Sequence, residues 1–176
     1  MVKEQYLSRY EEGPEADFSK NIWTAEEKSL VAHQVAQGAI KYGMVRMDNN
    51  KKIVFDMNEW LKLDGESGPF IQYSYARIAS LCRKSNFRAE DKVNWTLLAS
   101  EYERGLAVLL MQFNTVVLGA AEGYRPASLC GYLFDLSKRF NLFYHECPIG
   151  TAENRELRLA RLALAYACGE TLKRGL

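Results

Sequence analysis

Residues 69 to 84 read Pro69-Phe70-Ile71-Gln72-Tyr73-Ser74-Tyr75-Ala76-Arg77-Ile78-Ala79-Ser80-Leu81-Cys82-Arg83-Lys84, and two periodic patterns run through them at once. Gly68-Pro69 breaks the preceding chain and puts a proline in the first turn, where its missing N–H costs nothing, so a helix is expected from about Phe70 to Lys84. At about a hundred degrees per residue, Ile71, Tyr75, Ile78 and Cys82 form one stripe. Phe70, Tyr73, Arg77 and Lys84 form a second stripe beside it. The first is an ordinary core face. The second combines two aromatic rings with two cations, the equipment needed to stack unpaired bases and hold their phosphates. A bundle contact, with the rings packed inward and the cations solvated, is the competing reading of the same four residues.

Working outward, helical periodicity dominates, and only four prolines interrupt 176 residues. Upstream, Thr24-Ala25-Glu26-Glu27 fits a capping box, in which threonine and glutamate satisfy each other's backbone, and opens a helix to about Gly43. Asp56-Met57-Asn58-Glu59 offers a second box for a short helix through Trp60, Leu61 and Leu63 that ends at Gly65. Only Lys52-Ile53-Val54-Phe55 reads as extended. Downstream of Ser85-Asn86-Phe87, three apolar-periodic segments follow, at roughly Trp95 to Leu118, Pro126 to His145 and Ala152 to Arg174. In the second, Leu129, Tyr132, Leu133, Leu136, Phe140 and Phe143 recur at threes and fours; the third is apolar nearly all round and belongs mid-bundle. Short connections imply antiparallel neighbours. The expected class is therefore all-α: a connecting segment over 1–66 with its short extended piece, then an antiparallel bundle over 67–176.

Composition narrows the function classes. Hydrophobic residues make up 48% and aromatics 12%, a globular balance. Cys82, Cys130, Cys147 and Cys168 are widely spaced with no C-x-x-C, which argues against a zinc site or disulfide framework. Unpaired cysteines suit a cytoplasmic protein, with Cys130 and Cys168 as small buried hydrophobes. Met1-Val2-Lys3-Glu4-Gln5 lacks an apolar signal core, and no apolar run is read as a membrane span. Asn94-Trp95-Thr96 matches a glycosylation acceptor by chance in such a protein. A formal net charge of +1 neither requires nor forbids nucleic-acid binding, so any RNA site must be local.

The order of several stretches resembles the C-terminal region of the arginyl-tRNA synthetase family. Ala39-Ile40-Lys41-Tyr42, Phe55-Asp56, Leu63 and the run from Gly65 through Gly68-Pro69-Phe70-Ile71-Gln72-Tyr73 to Arg77 are similar to the segment after that family's second ATP-site motif. Phe140-Asn141-Leu142-Phe143-Tyr144 with Cys147-Pro148 resembles the end of its penultimate long helix. Arg161-Leu162-Ala163-Leu164 and Leu172-Lys173-Arg174-Gly175-Leu176 resemble its last helix, in the so-called DALR anticodon-binding domain. The match runs from about Gln37 to Leu176.

The resemblance implies an anticodon-binding bundle that recognises an arginine-specific tRNA beside a catalytic domain of the same polypeptide, with neither membrane nor DNA as partner. It carries Phe70, Tyr73, Arg77 and Tyr144 onto the loop-binding surface, and Lys84 joins them as the cation further along the stripe. Phe70 replaces the commoner tyrosine, so stacking survives and a hydroxyl contact is lost. ATP and magnesium are expected in the parent enzyme and no cofactor in this stretch: the only histidines are His33 and His145, and neither a His-x-Gly-His motif nor a Lys-Met-Ser-Lys type loop occurs. The stretch alone is thus expected to be inactive in ligation. Because the family usually continues past Gly175-Leu176, part of its binding surface is expected to lie beyond.

Other patterns compete less well. His145-Glu146-Cys147 lacks a third orienting group, and neighbouring helical positions point apart. Glu11-Glu12, Glu15 and Asp17 around Gly13-Pro14 lack calcium-loop spacing. Arg155, Arg158 and Arg161 recur every three residues, and both a salt-bridged face and an RNA-backbone contact fit them. A helical protein-interaction scaffold, and the anticodon-binding domain of another synthetase such as the glycyl enzyme, are the alternative functions. The Gly-Pro-Phe-Ile-Gln-Tyr run favours the arginyl family over the glycyl one.

Overall fold

The computed structural model describes residues 24–150 and 154–176. The carboxylates around Gly13-Pro14 and the expected helix start at Ala152 lie outside these residues. Among the described residues seven α-helices follow in order: α1 (Ala25–Val45), α2 (Met57–Trp60), α3 (Gly68–Lys84), α4 (Glu101–Met111), α5 (Phe113–Glu122), α6 (Pro126–Glu146) and α7 (Arg155–Gly175), with a 3-10 turn at Trp95–Leu97. No strand occurs among the described residues, and Lys52-Ile53-Val54-Phe55 is an irregular connection. Two compact units divide between Gln72 and Tyr73, inside α3.

In the first unit, the capping box at Thr24 forms as its sequence dictates. Thr24 Oγ1 accepts from the Glu27 N–H at 3.2 Å and the Thr24 N–H donates to Glu27 Oε2 at 2.9 Å. Ala32, Ala36, Ala39 and Tyr42 then bury one face of α1. Asp56 caps α2, but the helix stops at Trp60 instead of running on to Gly65. Leu61 closes the helix with φ −98° and ψ 5°, and the buried Trp60 is seated on Gly43 of α1, where a Cβ would collide with its ring. Ser67 links this end to the next helix, its hydroxyl donating to the Lys62 carbonyl and accepting the Phe70 N–H at 3.2 Å. Gly68 is required where α1 meets the start of α3: a Cβ there would sit 2.5 Å from the Gly38 carbonyl oxygen.

The second unit is a bundle of the rest of α3 with α4 to α7. Helix α6 packs against α4, α5 and α7, and α4 also packs against α7. The α6 stripe is buried as its spacing demands, with Leu136, Phe140 and Phe143 fully enclosed. Helix α7 buries Ala160, Leu162, Ala163, Leu164, Ala165, Cys168 and Leu172, so α6 and α7 share the centre. Ile78 of α3 seats against Gly169, where a Cβ would come within 2.8 Å of its branch methyl. Tyr132 donates its hydroxyl to the Leu109 carbonyl at 3.0 Å, and burial pushes its pKa up to about 12. Burial likewise raises the Cys168 thiol; none of the four cysteines is in a disulfide, and Cys130, Cys147 and Cys168 are buried.

The expected single segment from Trp95 to Leu118 is instead three pieces. Asn94 caps the 3-10 turn, its Oδ1 accepting from the Thr96 N–H and hydroxyl, which occupies the acceptor-like asparagine in the fold. Ser100 and Glu103 then form a capping box that starts α4, and Gln112 closes α4 and opens α5. By length and composition Glu101–Glu122 could cross a membrane, contrary to the sequence reading. It is divided at Gln112, and Glu103 within it holds an ion pair inside the bundle. Val108, Met111 and Leu118 nevertheless remain exposed.

Glu103 is only 1% exposed and meets Arg161 of α7, itself 15% exposed, at 2.6 Å between Oε1 and Nε. Arg161 also donates to the Pro148 carbonyl at 2.8 Å. Removing one member leaves an uncompensated buried charge, so Arg161→Ala is expected to lower unfolding stability by about 3–5 kcal/mol, with part recovered in a Glu103→Leu/Arg161→Leu double variant. Urea denaturation of the three proteins checks this. At the end of α3, Asn86 takes a φ of 50°, with its N–H on the Arg83 carbonyl and the Phe87 N–H on the Cys82 carbonyl, a left-handed helix stop. Asn86→Val is expected to cost about 1–2 kcal/mol by the same assay while Asn86→Gly is tolerated, because a branched side chain resists the left-handed region.

Candidate nucleic-acid interface

Tyr73 and Arg77 lie one turn apart on α3, so their side chains share a face. The guanidinium carbon of Arg77 sits 4.8 Å from the Tyr73 ring centroid and 5.5 Å from that of Tyr144, which comes from α6. Its Nη2 donates to the Tyr73 hydroxyl at 3.1 Å and its Nη1 to Asn141 Oδ1 at 3.1 Å. Asn141 in turn donates from Nδ2 to the Ser74 hydroxyl at 3.3 Å, and Ser74 is fully buried. Behind Tyr144, the buried Phe140 ring lies 6.0 Å away and tilted by 35°. A buried base thus holds an arginine flanked by two tyrosines, while Tyr73 and Arg77 stay half-buried and Tyr144 is exposed.

The partners of Arg77 matter as much as its position. Both of its hydrogen-bond acceptors, Asn141 Oδ1 and the Tyr73 hydroxyl, are neutral oxygens, and no carboxylate pairs with it among the described residues. Its direction is fixed while its positive charge stays uncompensated. Such a group can stack on a base through its plane or donate to a base edge or phosphate.

The structure therefore brings Tyr73, Arg77 and Tyr144 together. Lys84 is two turns beyond Arg77 on the same stripe, exposed and outside this cluster. Phe70 belongs to the first unit, where it is half-buried and its N–H is held by Ser67. Asn141 and Ser74 were missed by the reading from spacing: neither is aromatic or cationic, and their value lies in a contact between helices 67 residues apart in sequence. The only hint was that Asn141 stands inside the Phe140–Tyr144 stretch.

The remaining candidates separate clearly. Arg161 belongs to the buried ion pair and has a structural role. His145 is exposed and contacts Glu146, whereas Cys147 is buried with its thiol 3.6 Å from the Ser100 hydroxyl, so no nucleophile pair forms. Among the described residues no three His, Cys, Asp or Glu side chains converge on a metal-sized point.

The family model described as the DALR anticodon binding domain matches residues 71–176. The chain belongs to the DALR anticodon binding domain family. It is 58% identical over 175 residues to an arginine–tRNA ligase of Bdellovibrio bacteriovorus, covering 99% of this chain and 29% of that protein. With an arginine–tRNA ligase of Hamiltonella defensa the identity is 39% over 142 residues, covering 81% of this chain and 25% of the relative. The solved arginyl-tRNA synthetase of Thermus thermophilus superposes with a TM-score of 0.83 at 34% identity, over 99% of this chain and 30% of that one. This DALR-family chain thus spans less than a third of the length of the relatives it matches.

Asn141→Ala removes both the acceptor that aims Arg77 and the donor to buried Ser74. About 0.5–1.5 kcal/mol of stability per lost hydrogen bond is the expected cost, read by urea denaturation, with far-UV helicity preserved.

Proposed function

We propose that this chain is the tRNA anticodon-binding part of an arginine–tRNA ligase and recognises the anticodon loop of an arginine tRNA. The observation that carries this reading is Arg77, oriented by neutral partners between the Tyr73 and Tyr144 rings with its charge left unspent. An anticodon loop supplies what such a site requires: unpaired bases that can be splayed onto rings, next to phosphates. In the proposed arrangement Tyr73, Arg77 and Tyr144 form the centre of the contact and Lys84 meets the backbone further along α3, while Phe70, in the first unit, is proposed as a stacking ring in its own right. Relatives named arginine–tRNA ligases, one of them aligned across 99% of the chain, support the arginine specificity.

The role is alignment. Energy gained at the loop fixes the orientation of the whole tRNA, so that its acceptor end reaches the catalytic domain of the same polypeptide already positioned for reaction. That catalytic domain, and not the bundle, is proposed to bind ATP, arginine and magnesium, and the cytoplasm is the proposed location. A bundle residue then acts on the ligation only through how tightly and in which pose the tRNA is held.

Fluorescence anisotropy with an arginine tRNA transcript over a salt series tests the reading. Wild-type affinity is expected to fall as salt rises, since phosphate contacts release counterions. Tyr73→Ala and Arg77→Ala should each weaken binding roughly 5- to 150-fold, the equivalent of about 1–3 kcal/mol for a stacked base, without loss of far-UV helicity. Asn141→Asp should also weaken binding, because it holds Arg77 in place yet cancels its charge. A flat salt response from the unaltered chain removes the proposal.

A further inference from the structure

Of the three arginines repeating along α7, Arg161 is consumed by Glu103, but the side chains of Arg155 and Arg158 have neither ion pair nor hydrogen bond among the described residues. They line a cleft of about 390 Å³ whose opposite wall is the left-handed stop of α3, including Ser85, Asn86 and Phe87. Leu159 and Leu162 contribute apolar lining. Phe87 is fixed by the Tyr166 ring, at 5.6 Å between centroids and 48° between planes. Asp91 also lines the cleft, with Oδ2 accepting the Arg88 N–H at 3.0 Å, so two positive charges face one negative.

We propose that this cleft is a second RNA subsite, which takes one phosphodiester of a single-stranded segment on Arg155 and Arg158 and lodges the attached nucleoside against Leu159 and the Asn86-Phe87 wall. Three features point to that ligand. Paired guanidiniums a single turn apart, lacking acidic partners of their own among the described residues, select an anion with several acceptor oxygens. An apolar surface and an aromatic residue beside them suit a group that is flat and partly apolar as well as charged, which describes a nucleotide better than a free phosphate. The wall is also the direct continuation of α3, which ends at Lys84, the last cation of the Tyr73–Arg77 stripe, so the cleft follows that stripe directly in the chain. From Tyr73 to Ser85 the helix rises about 18 Å, so a strand in the cleft would be a separate contact from one on the Tyr73–Arg77 face.

This inference rests on the RNA-binding reading above, and the test separates the two. The 176-residue chain, its Arg155→Gln/Arg158→Gln variant and its Arg77→Ala variant are titrated with the same arginine tRNA transcript over one salt series. The glutamine variant is expected to keep its melting temperature and helicity, because neither arginine holds another described residue. Its affinity should fall on the order of tenfold, and the slope of log affinity against log salt should lessen by roughly 0.7 for a neutralised single-strand phosphate. An Arg155→Lys/Arg158→Lys variant should recover the slope. If Arg77→Ala weakens binding but the glutamine variant retains both affinity and slope, the cleft is not a subsite while the anticodon reading stands. If the unaltered chain shows no salt-dependent binding, both are overturned.

Discussion

The bundle is organised around one buried charge. Glu103 is 1% exposed, and a carboxylate so placed is tolerable only with a positive partner and its oxygens satisfied. It obtains both: Oε1 meets Arg161 and Oε2 accepts the Ser100 N–H at 2.8 Å, so the residue that caps α4 also joins it to α7. Arg161 extends the link to the Pro148 carbonyl, in the connection that follows α6. Two helices and the connection after α6 are therefore registered around one ion pair, and it is geometry that the pair supplies. Apolar packing of Phe140, Phe143, Leu136 and Leu172 provides the driving force but would tolerate many sliding offsets; a short, directional contact tolerates few.

Register between α3 and α6 is what the candidate interface needs, because its members come from both. The Arg77–Asn141–Ser74 chain runs from the half-exposed guanidinium to a fully buried hydroxyl, so the surface arginine is anchored in the core. Here the same problem is solved with the opposite chemistry. Arg161 is held by a carboxylate, which consumes its charge; Arg77 is held by an amide and a phenol, which do not. Two arginines in one small bundle thus differ in purpose through the charge of their partners rather than through their own burial alone.

Much of the fold could be read from spacing. The α6 stripe, the capping box at Thr24 and the α3 boundaries follow local rules in which a residue meets neighbours three or four positions away. Two misreadings have different causes. The α2 helix fell short at Leu61, just after Trp60 is seated on Gly43 of α1, and the Trp95-to-Leu118 segment divided because Ser100 prefers to cap rather than continue a helix. In the first case packing overrode periodicity; in the second a local signal was hidden within a long apolar pattern. The interface was legible in its rings and cations, and illegible in Asn141 and Ser74, whose partners are distant in the chain. No period along one strand of sequence reports a hydrogen bond across two helices.

The arginines of α7 show how far that limit extends. A repeat of three puts Arg155, Arg158 and Arg161 on neighbouring positions of a single helical face, and sequence treats them as equals. What distinguishes them is the surroundings each meets along α7. At Arg161 the α4 helix offers Glu103; toward the helix start the opposing wall is the end of α3, with Asn86 and Phe87 beside a cleft and a single carboxylate already engaged with backbone. The last turn of α3 therefore has two consequences: its left-handed stop ends the helix, and the same turn leaves room against α7 that a continued helix would fill. A residue chosen for backbone conformation, Asn86, in this way sets the shape of the space beside two unpaired cations.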